Sequence, residues 1–256
     1  MTLSGEKYLK YMGSKSKIVD GILPIIQKRI KDYNIKTYIE PFCGGCNVID
    51  KVVCDKKIAS DNQKYLIALL KNAEKVKELP DEISREHYSE VRDCFNKGLH
   101  TFEDWYIGAI GFLASYNGRF FDGGYAQTNY QKSKVTDHII VRNYYKEAKE
   151  NLVEQIPRLQ DIKFENIDYK YYSDFKDCLF YLDPPYKGKK QYGSSKGFNH
   201  DEFWSWCRHM SNKNIVLISE HEAPDDFECI WQQEVKRTID NNKRVKAVER
   251  LFEIRE

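Results

Sequence analysis

The chain has 256 residues, 41% hydrophobic and 14% aromatic, with 41 Lys and Arg against 39 Asp and Glu for a net charge of +2. That apolar content excludes a disordered chain, and the length allows one large domain or one with a substantial insertion. The near-neutral balance excludes a partner held by a global field, so a nucleic acid would have to be held by local basic patches.

From 17 to 31, apolar residues at Ile18, Val19, Ile22, Ile26 and Ile30 follow a helical period, and Pro24 is expected to kink or restart the helix. TYIEPF (37–42) reads as a short buried strand that runs into a glycine turn, CGGC, and a helix from about Asn47 to Val53. KIAS (57–60) is a second strand ending at Asp61, and YLIALLKNAEKV (65–76) is an amphipathic helix. From about 80 to 159 the texture changes, with helical patterns interrupted by an aromatic, glycine-rich, hairpin-like segment, SYNGRFFDGGYAQTNY (115–130).

Strands resume at IKFENI (162–167), CLFYLD (178–183) and NIVLISEH (214–221), with a helix near Asp201 to Met210. ECIWQQEV and KAVERLFEI flank the turn DNNKR as an antiparallel edge hairpin. The predicted class is α/β, a mostly parallel sheet assembled from 1–78 and 160–256, with 79–159 inserted. No uncharged run approaches the roughly 18 residues of a membrane span, and MTLSGEKYLKYM lacks a secretory signal pattern. With seven cysteines reading as reduced thiols, the expected compartment is the cytoplasm. Cys43-x2-Cys46 followed by Cys54 lacks the fourth ligand of a structural zinc site, so no metal is expected.

Ligands of open α/β sheets bind at the carboxyl ends of the strands. Here those ends carry Cys43-Gly44-Gly45, Asp61, Asp168 and Asp183. A strand, a glycine turn and an acid about twenty residues later form a nucleoside-binding arrangement, the acid accepting from ribose hydroxyls. Neither a G-x-G-x-x-G pattern nor a phosphate loop occurs, which favours a nucleoside without phosphates.

DPPY (183–186) after an apolar strand, F-C-G-G (42–45) after TYIEP, and KYMGSK (10–15) stand in an order that resembles the Dam-type, D12 class, alpha-group DNA adenine-N6 methyltransferases over nearly the whole chain. The resemblance implies a Rossmann-like methyltransferase fold, S-adenosylmethionine as cofactor, double-stranded DNA as substrate and 79–159 as a helical target-recognition insertion. By position it implies that Tyr11 and Lys15 contact the cofactor, Lys15 near its carboxylate. Phe42, Cys43 and Gly44 would line its path, Asp61 would take the ribose, and Asp168 would lie near its adenine. Asp183 and the Pro184 carbonyl would face the target amino group, with Pro185 completing the motif and Tyr186 stacking on the base. Cys46 departs from the glycine usual at the end of the family's turn.

Recognition contacts are expected from Asn117 and Arg119, a base-step wedge from Phe120 or Phe121, and phosphate contacts from Lys187 and Lys189 in the loop after DPPY. Cytosine-N4 methylation is the nearest alternative, although that group more often opens its tetrapeptide with serine. A catalytically silent DNA-binding protein of the same fold is the other, and it would have no need of the intact DPPY.

Overall fold

A computed structural model describes residues 7–132, 139–186, 197–240 and 243–255. In chain order the elements are α1 (Val19–Asp32), β1 (Thr37–Glu40), β2 (Lys56–Ser60), α2 (Lys64–Lys71), α3 (Arg85–Asn96), α4 (Asp104–Leu113), β3 (Asn129–Lys132), β4 (Ile139–Arg142), α5 (Tyr144–Leu159), β5 (Ile162–Glu165), β6 (Cys178–Leu182), α6 (His200–Ser211), β7 (Ile215–Glu220), β8 (Phe227–Asp240) and β9 (Lys243–Ile254).

Seven strands form one sheet in the order β5-β2-β1-β6-β7-β9-β8. The first five run parallel, whereas β9 is antiparallel to both its neighbours, so β8 at the edge runs with the rest. From β1 the chain steps outward to β2 and β5, then returns to β6 on the other side of β1. The strand order therefore reverses between β1 and β6, where open α/β sheets open a crevice. This is a Rossmann-like α/β fold with an antiparallel edge hairpin.

Alternation along the central strands explains the burial of both faces. In β6, Leu179 and Tyr181 join one apolar cluster while Cys178, Phe180 and Leu182 join the other. The strands therefore read as continuous apolar runs, as buried parallel strands do. Helices α1, α2, α4 and α5 cover the first face and α6 the second; buried residues of the middle region, Tyr88, Ile110 and Leu152 among them, share one cluster with Ile22 and Leu66. No helix among the described residues is long and apolar enough to cross a membrane.

Three local expectations differ. Helix α1 runs through Pro24, because its missing N–H deprives only the Asp20 carbonyl in the first turn. The helix expected at 47–53 is one turn of 3-10 helix, Ile49–Lys51. Its neighbours Val48, Val52 and Val53 disfavour a helix, and the buried Asp50 side chain is taken by Gln155 Nε2 at 3.1 Å and Arg158 Nε at 3.0 Å. The segment 115–130 is not itself a hairpin. It is a 3-10 turn, Tyr116–Gly118, and a loop closed by a bridge between Ser115 and Tyr125, and its last two residues, Asn129 and Tyr130, open β3, which pairs antiparallel with β4.

Candidate active site

A cavity of about 820 Å³ opens at the carboxyl ends of β1, β2 and β6, a size suited to a small-molecule site. The N-terminal motif forms one wall. A turn closes where Ser14 N–H donates to the Tyr11 carbonyl at 3.2 Å, with Gly13 at φ +86, the left-handed value that such a turn reserves for glycine. The Lys15 carbonyl then accepts from both Ile18 and Val19 at 2.9 Å and opens α1. KYMGSK thus delivers Tyr11 and Lys15 to the cavity by turn chemistry.

The glycine turn is held from two sides. Cys43 N–H donates to the Ser60 carbonyl at 2.9 Å, tying the turn to β2, and Gly44 N–H donates to Asp61 Oδ2 at 3.2 Å. A Cβ at Gly44 would stand 2.9 Å from the Tyr11 ring, and one at Gly45 would stand 2.8 Å from the Leu9 carbonyl. The turn is therefore glycine because the N-terminal segment packs straight onto it. Cys46, the departure from the family pattern, is fully buried with φ +59. This is the left-handed region that glycine adopts freely and other residues enter at a cost.

Asp61 also accepts from Gln63 N–H at 2.9 Å, and burial pushes its carboxyl up to about 6 against the pull of these backbone donors. Lys15, nearly buried, brings Nζ to 2.6 Å from Asp183 Oδ1 and 3.2 Å from the Gly13 carbonyl. Burial raises the Asp183 carboxyl above the ordinary range, and the Lys15 ammonium opposes that shift. Glu40, at the end of β1, accepts the Tyr38 hydroxyl at 2.6 Å, and burial pushes it well above the ordinary carboxylate range.

Of the residues expected from the sequence, Tyr11, Lys15, Phe42, Cys43, Gly44, Asp61, Asp183, Pro184, Pro185, Tyr186, Arg119 and Phe120 line this one cavity. Asp168 does not. It caps the turn Tyr169–Tyr172 through Lys170 N–H at 3.0 Å and accepts from Asn62 Nδ2 at 3.1 Å, and it is Asn62 that lines the cavity. Asn117 is exposed at φ +55, outside the cavity lining.

Phe121 corrects the wedge expectation. It is 8% exposed and packs its ring on Tyr88, Phe95 and Phe120 at 4.9–5.5 Å, so it serves the core. Phe120 stacks on Tyr65 at 5.5 Å and 20°. Both phenylalanines have positive φ, a strained backbone that the aromatic packing holds in place. Lys187 and Lys189 lie outside the described residues.

Sequence reasoning missed Glu40, Asn47 and Glu249, which also line the cavity. Glu40 and Asn47 flank the glycine turn and were open to detection there. Glu249 lies on the edge hairpin, where nothing local marks it.

Asn47 also tests whether the site fits the nucleoside-type methyl donor. Its Nδ2 donates to Ser14 Oγ at 2.8 Å, while its buried Oδ1 has no hydrogen-bond partner. A buried acceptor left in this way suits a cationic or amide donor. An unmatched acceptor and Glu40 for an ammonium, Lys15 for a carboxylate, Asp61 for ribose hydroxyls and the ring of Phe42 for a purine match the chemical groups of S-adenosylmethionine.

A family model described as D12 class N6 adenine-specific DNA methyltransferase matches residues 11–238. The chain is 25% identical over 221 residues to the type II methyltransferase M.MjaIII of Methanocaldococcus jannaschii, covering 77% of this chain and 74% of that protein. It is 24% identical over 207 residues to the modification methylase StsI of Streptococcus sanguinis, covering 72% of this chain but only 29% of that much longer protein. Among solved structures, the rRNA methyltransferase aviRa of Streptomyces viridochromogenes aligns over 96% of this chain and 86% of its own, at 10% identity and a TM-score of 0.45.

Proposed function

The chain belongs to the D12 class N6 adenine-specific DNA methyltransferases, and we propose that it modifies an adenine turned out of a specific double-stranded site, with Asp183, Pro184 and Tyr186 holding the base. The reaction is methyl transfer from S-adenosylmethionine to N6 of adenine in DNA. The observation that carries the residue assignment is the single cavity in which Asp183-Pro184-Pro185-Tyr186 faces Tyr11, Lys15, Gly44 and Asp61.

S-adenosylmethionine, when bound, supplies an electrophilic methyl group. Lys15, Asp61, Phe42, Cys43, Gly44 and Asn47 would hold it, and Asp168 would act on its adenine end through Asn62. The chain's task is to make a poor nucleophile attack, since the N6 lone pair is delocalised into the ring. Two acceptors aimed at the two N–H bonds favour a pyramidal amine with its lone pair free. The Asp183 carboxylate is one; its bond to Lys15 leaves acceptor capacity among its roughly four lone-pair sites. The Pro184 carbonyl is the other, fixed by the proline ring at little entropic cost. Tyr186 clamps the flat base by stacking, and the work is orientation and electrostatics.

N6 chemistry on a duplex needs the base outside the stack. Residues 79–159 supply the recognition surface in this reading. Exposed Tyr116 and Asn117 and cavity-lining Arg119 support it, standing together on the loop where Gly118 meets Lys10. Lys187 and Lys189 are proposed to meet phosphates.

Long-read sequencing of DNA from cells expressing the protein tests this directly. N6-methyladenine in one sequence context is expected, and its loss with Asp183→Ala. Label on cytosine N4, or methylation that survives Asp183→Ala, overturns the reading.

A further inference from the structure

The C-terminal hairpin lines the cavity with Val235 of β8 and Glu249 of β9, and Glu249 is the one that bonds Tyr186. Glu249, on β9, is buried at 5% exposure and lines the cavity, and its Oε2 accepts the Tyr186 hydroxyl at 3.2 Å. The Tyr186 ring also meets the His221 imidazole at 4.7 Å and 79°, and Lys15 Nζ lies 4.7 Å from its centroid. His221 is fixed in turn by a contact from Nδ1 to the Val248 carbonyl at 3.1 Å and by Arg250, which donates to the His221 carbonyl. The β7–β9 ladder, in which Glu220 pairs with Arg250, thus holds the tyrosine at its hydroxyl and at its ring.

A ring that stacks on a flat base must already lie in the right plane when the base arrives; otherwise part of the stacking energy is spent on ordering it. The Tyr186 side chain turns about two torsions: the bond at its hydroxyl, which lies on the axis of the second, fixes the first, and the His221 imidazole packed against the ring holds its plane. A buried carboxylate is costly unless it is well bonded, and a strand at the far side of the sheet is a rigid place from which to make that bond. We propose that Glu249 is a positioning residue for the base clamp, acting through the Tyr186 hydroxyl. This rests on the reading of Tyr186 as the residue that stacks on the target base.

The test is a double-mutant cycle on duplex DNA carrying the mapped site, with 2-aminopurine at the target position in a parallel set. Wild type is assayed first; if it leaves no label in adenine, the function reading itself fails. Glu249→Ala and Tyr186→Phe are each expected to lower kcat/KM for DNA about tenfold and to change the 2-aminopurine fluorescence alike. Cofactor affinity by calorimetry should stay within about twofold, and the double variant should be no worse than either single one. Glu249→Gln, which keeps an acceptor, should recover most of the rate. Losses that multiply in the double variant, or a loss of cofactor affinity matching the loss of rate, overturn the proposal. Should Glu249→Ala fail to fold, Tyr186→Phe breaks the same bond from the other side, and full activity with an unaltered fluorescence signal in that variant overturns it equally.

Discussion

Lys15 and Asp183 form a 2.6 Å ion pair at the edge of the cavity, with side chains 9% and 20% exposed. One comes from the turn before α1 and the other from the end of β6, so the pair fastens the N-terminal motif to the catalytic one. Both charges are largely withdrawn from water, and removing one partner leaves the other uncompensated.

Lys15→Met therefore removes the main influence that opposes burial and lets the Asp183 carboxyl rise further. The acidic limb of the pH–rate profile should move to higher pH, because Asp183 must be ionised to accept from the amine. At neutral pH, kcat should fall by about a hundredfold, the scale seen when one preorganised electrostatic partner is lost. A profile with an unmoved acidic limb would contradict this.

Asp61 carries a stability cost with a definite pH window. Its carboxyl rises from 3.8 to about 6 on folding, so between those values the folded state holds more protons and stability falls as pH rises. The penalty is absent below about pH 4 and complete above about pH 6.5, and it amounts to at most about 3 kcal/mol. Asp61→Asn should raise the unfolding free energy at pH 7.5, lose that advantage at pH 4, and weaken cofactor binding at both. Denaturant titrations at the two pH values, with calorimetry, decide it.

Cys46 should reverse the usual order of alanine and glycine. At φ +59 glycine relieves strain on the order of 1 kcal/mol, offsetting most of the roughly 1 kcal/mol lost with the buried thiol. Alanine loses the thiol and keeps the strain. Equilibrium unfolding should place Cys46→Gly within about 1 kcal/mol of wild type and Cys46→Ala below it; alanine at or above glycine would refute the account.

Phe121 and Tyr116 should separate stability from DNA recognition. Phe121→Ala should cost about 3–5 kcal/mol. Tyr116→Ala, at a half-exposed site, should change stability by no more than about 0.5 kcal/mol yet raise KM for DNA several-fold. Equal stability losses in the two variants would show that Tyr116 is also a packing residue.

Much of the site was legible because the groups that meet there follow strands directly. Phe42 to Gly44, Asp61 and Asp183 each stand where an apolar run breaks, and a parallel sheet gathers such breaks at one edge. Asp168 was legible as a strand-end acid, but sequence does not separate a cap from a ligand there, since the two roles look alike and the bond to Asn62 spans two segments. Phe121 stood beside Phe120 as an alternative wedge because exposure is invisible in sequence; the rings of Tyr88 and Phe95 on α3, with Phe120, enclose it.

The sequence by itself determined the parallel α/β layout, the order of the motifs and the chemistry of most groups in the cavity, because apolar period, turn residues and strand-end acids are local properties of the chain. Only the tertiary structure decided which of those groups meet. Lys15 lies on Asp183, the Tyr11 ring packs on Gly44 where a side chain would stand, and Glu249 of the edge hairpin holds the hydroxyl of Tyr186. Each is a contact between segments far apart in sequence, fixed by how the sheet orders its strands, and no local pattern of residues encodes that.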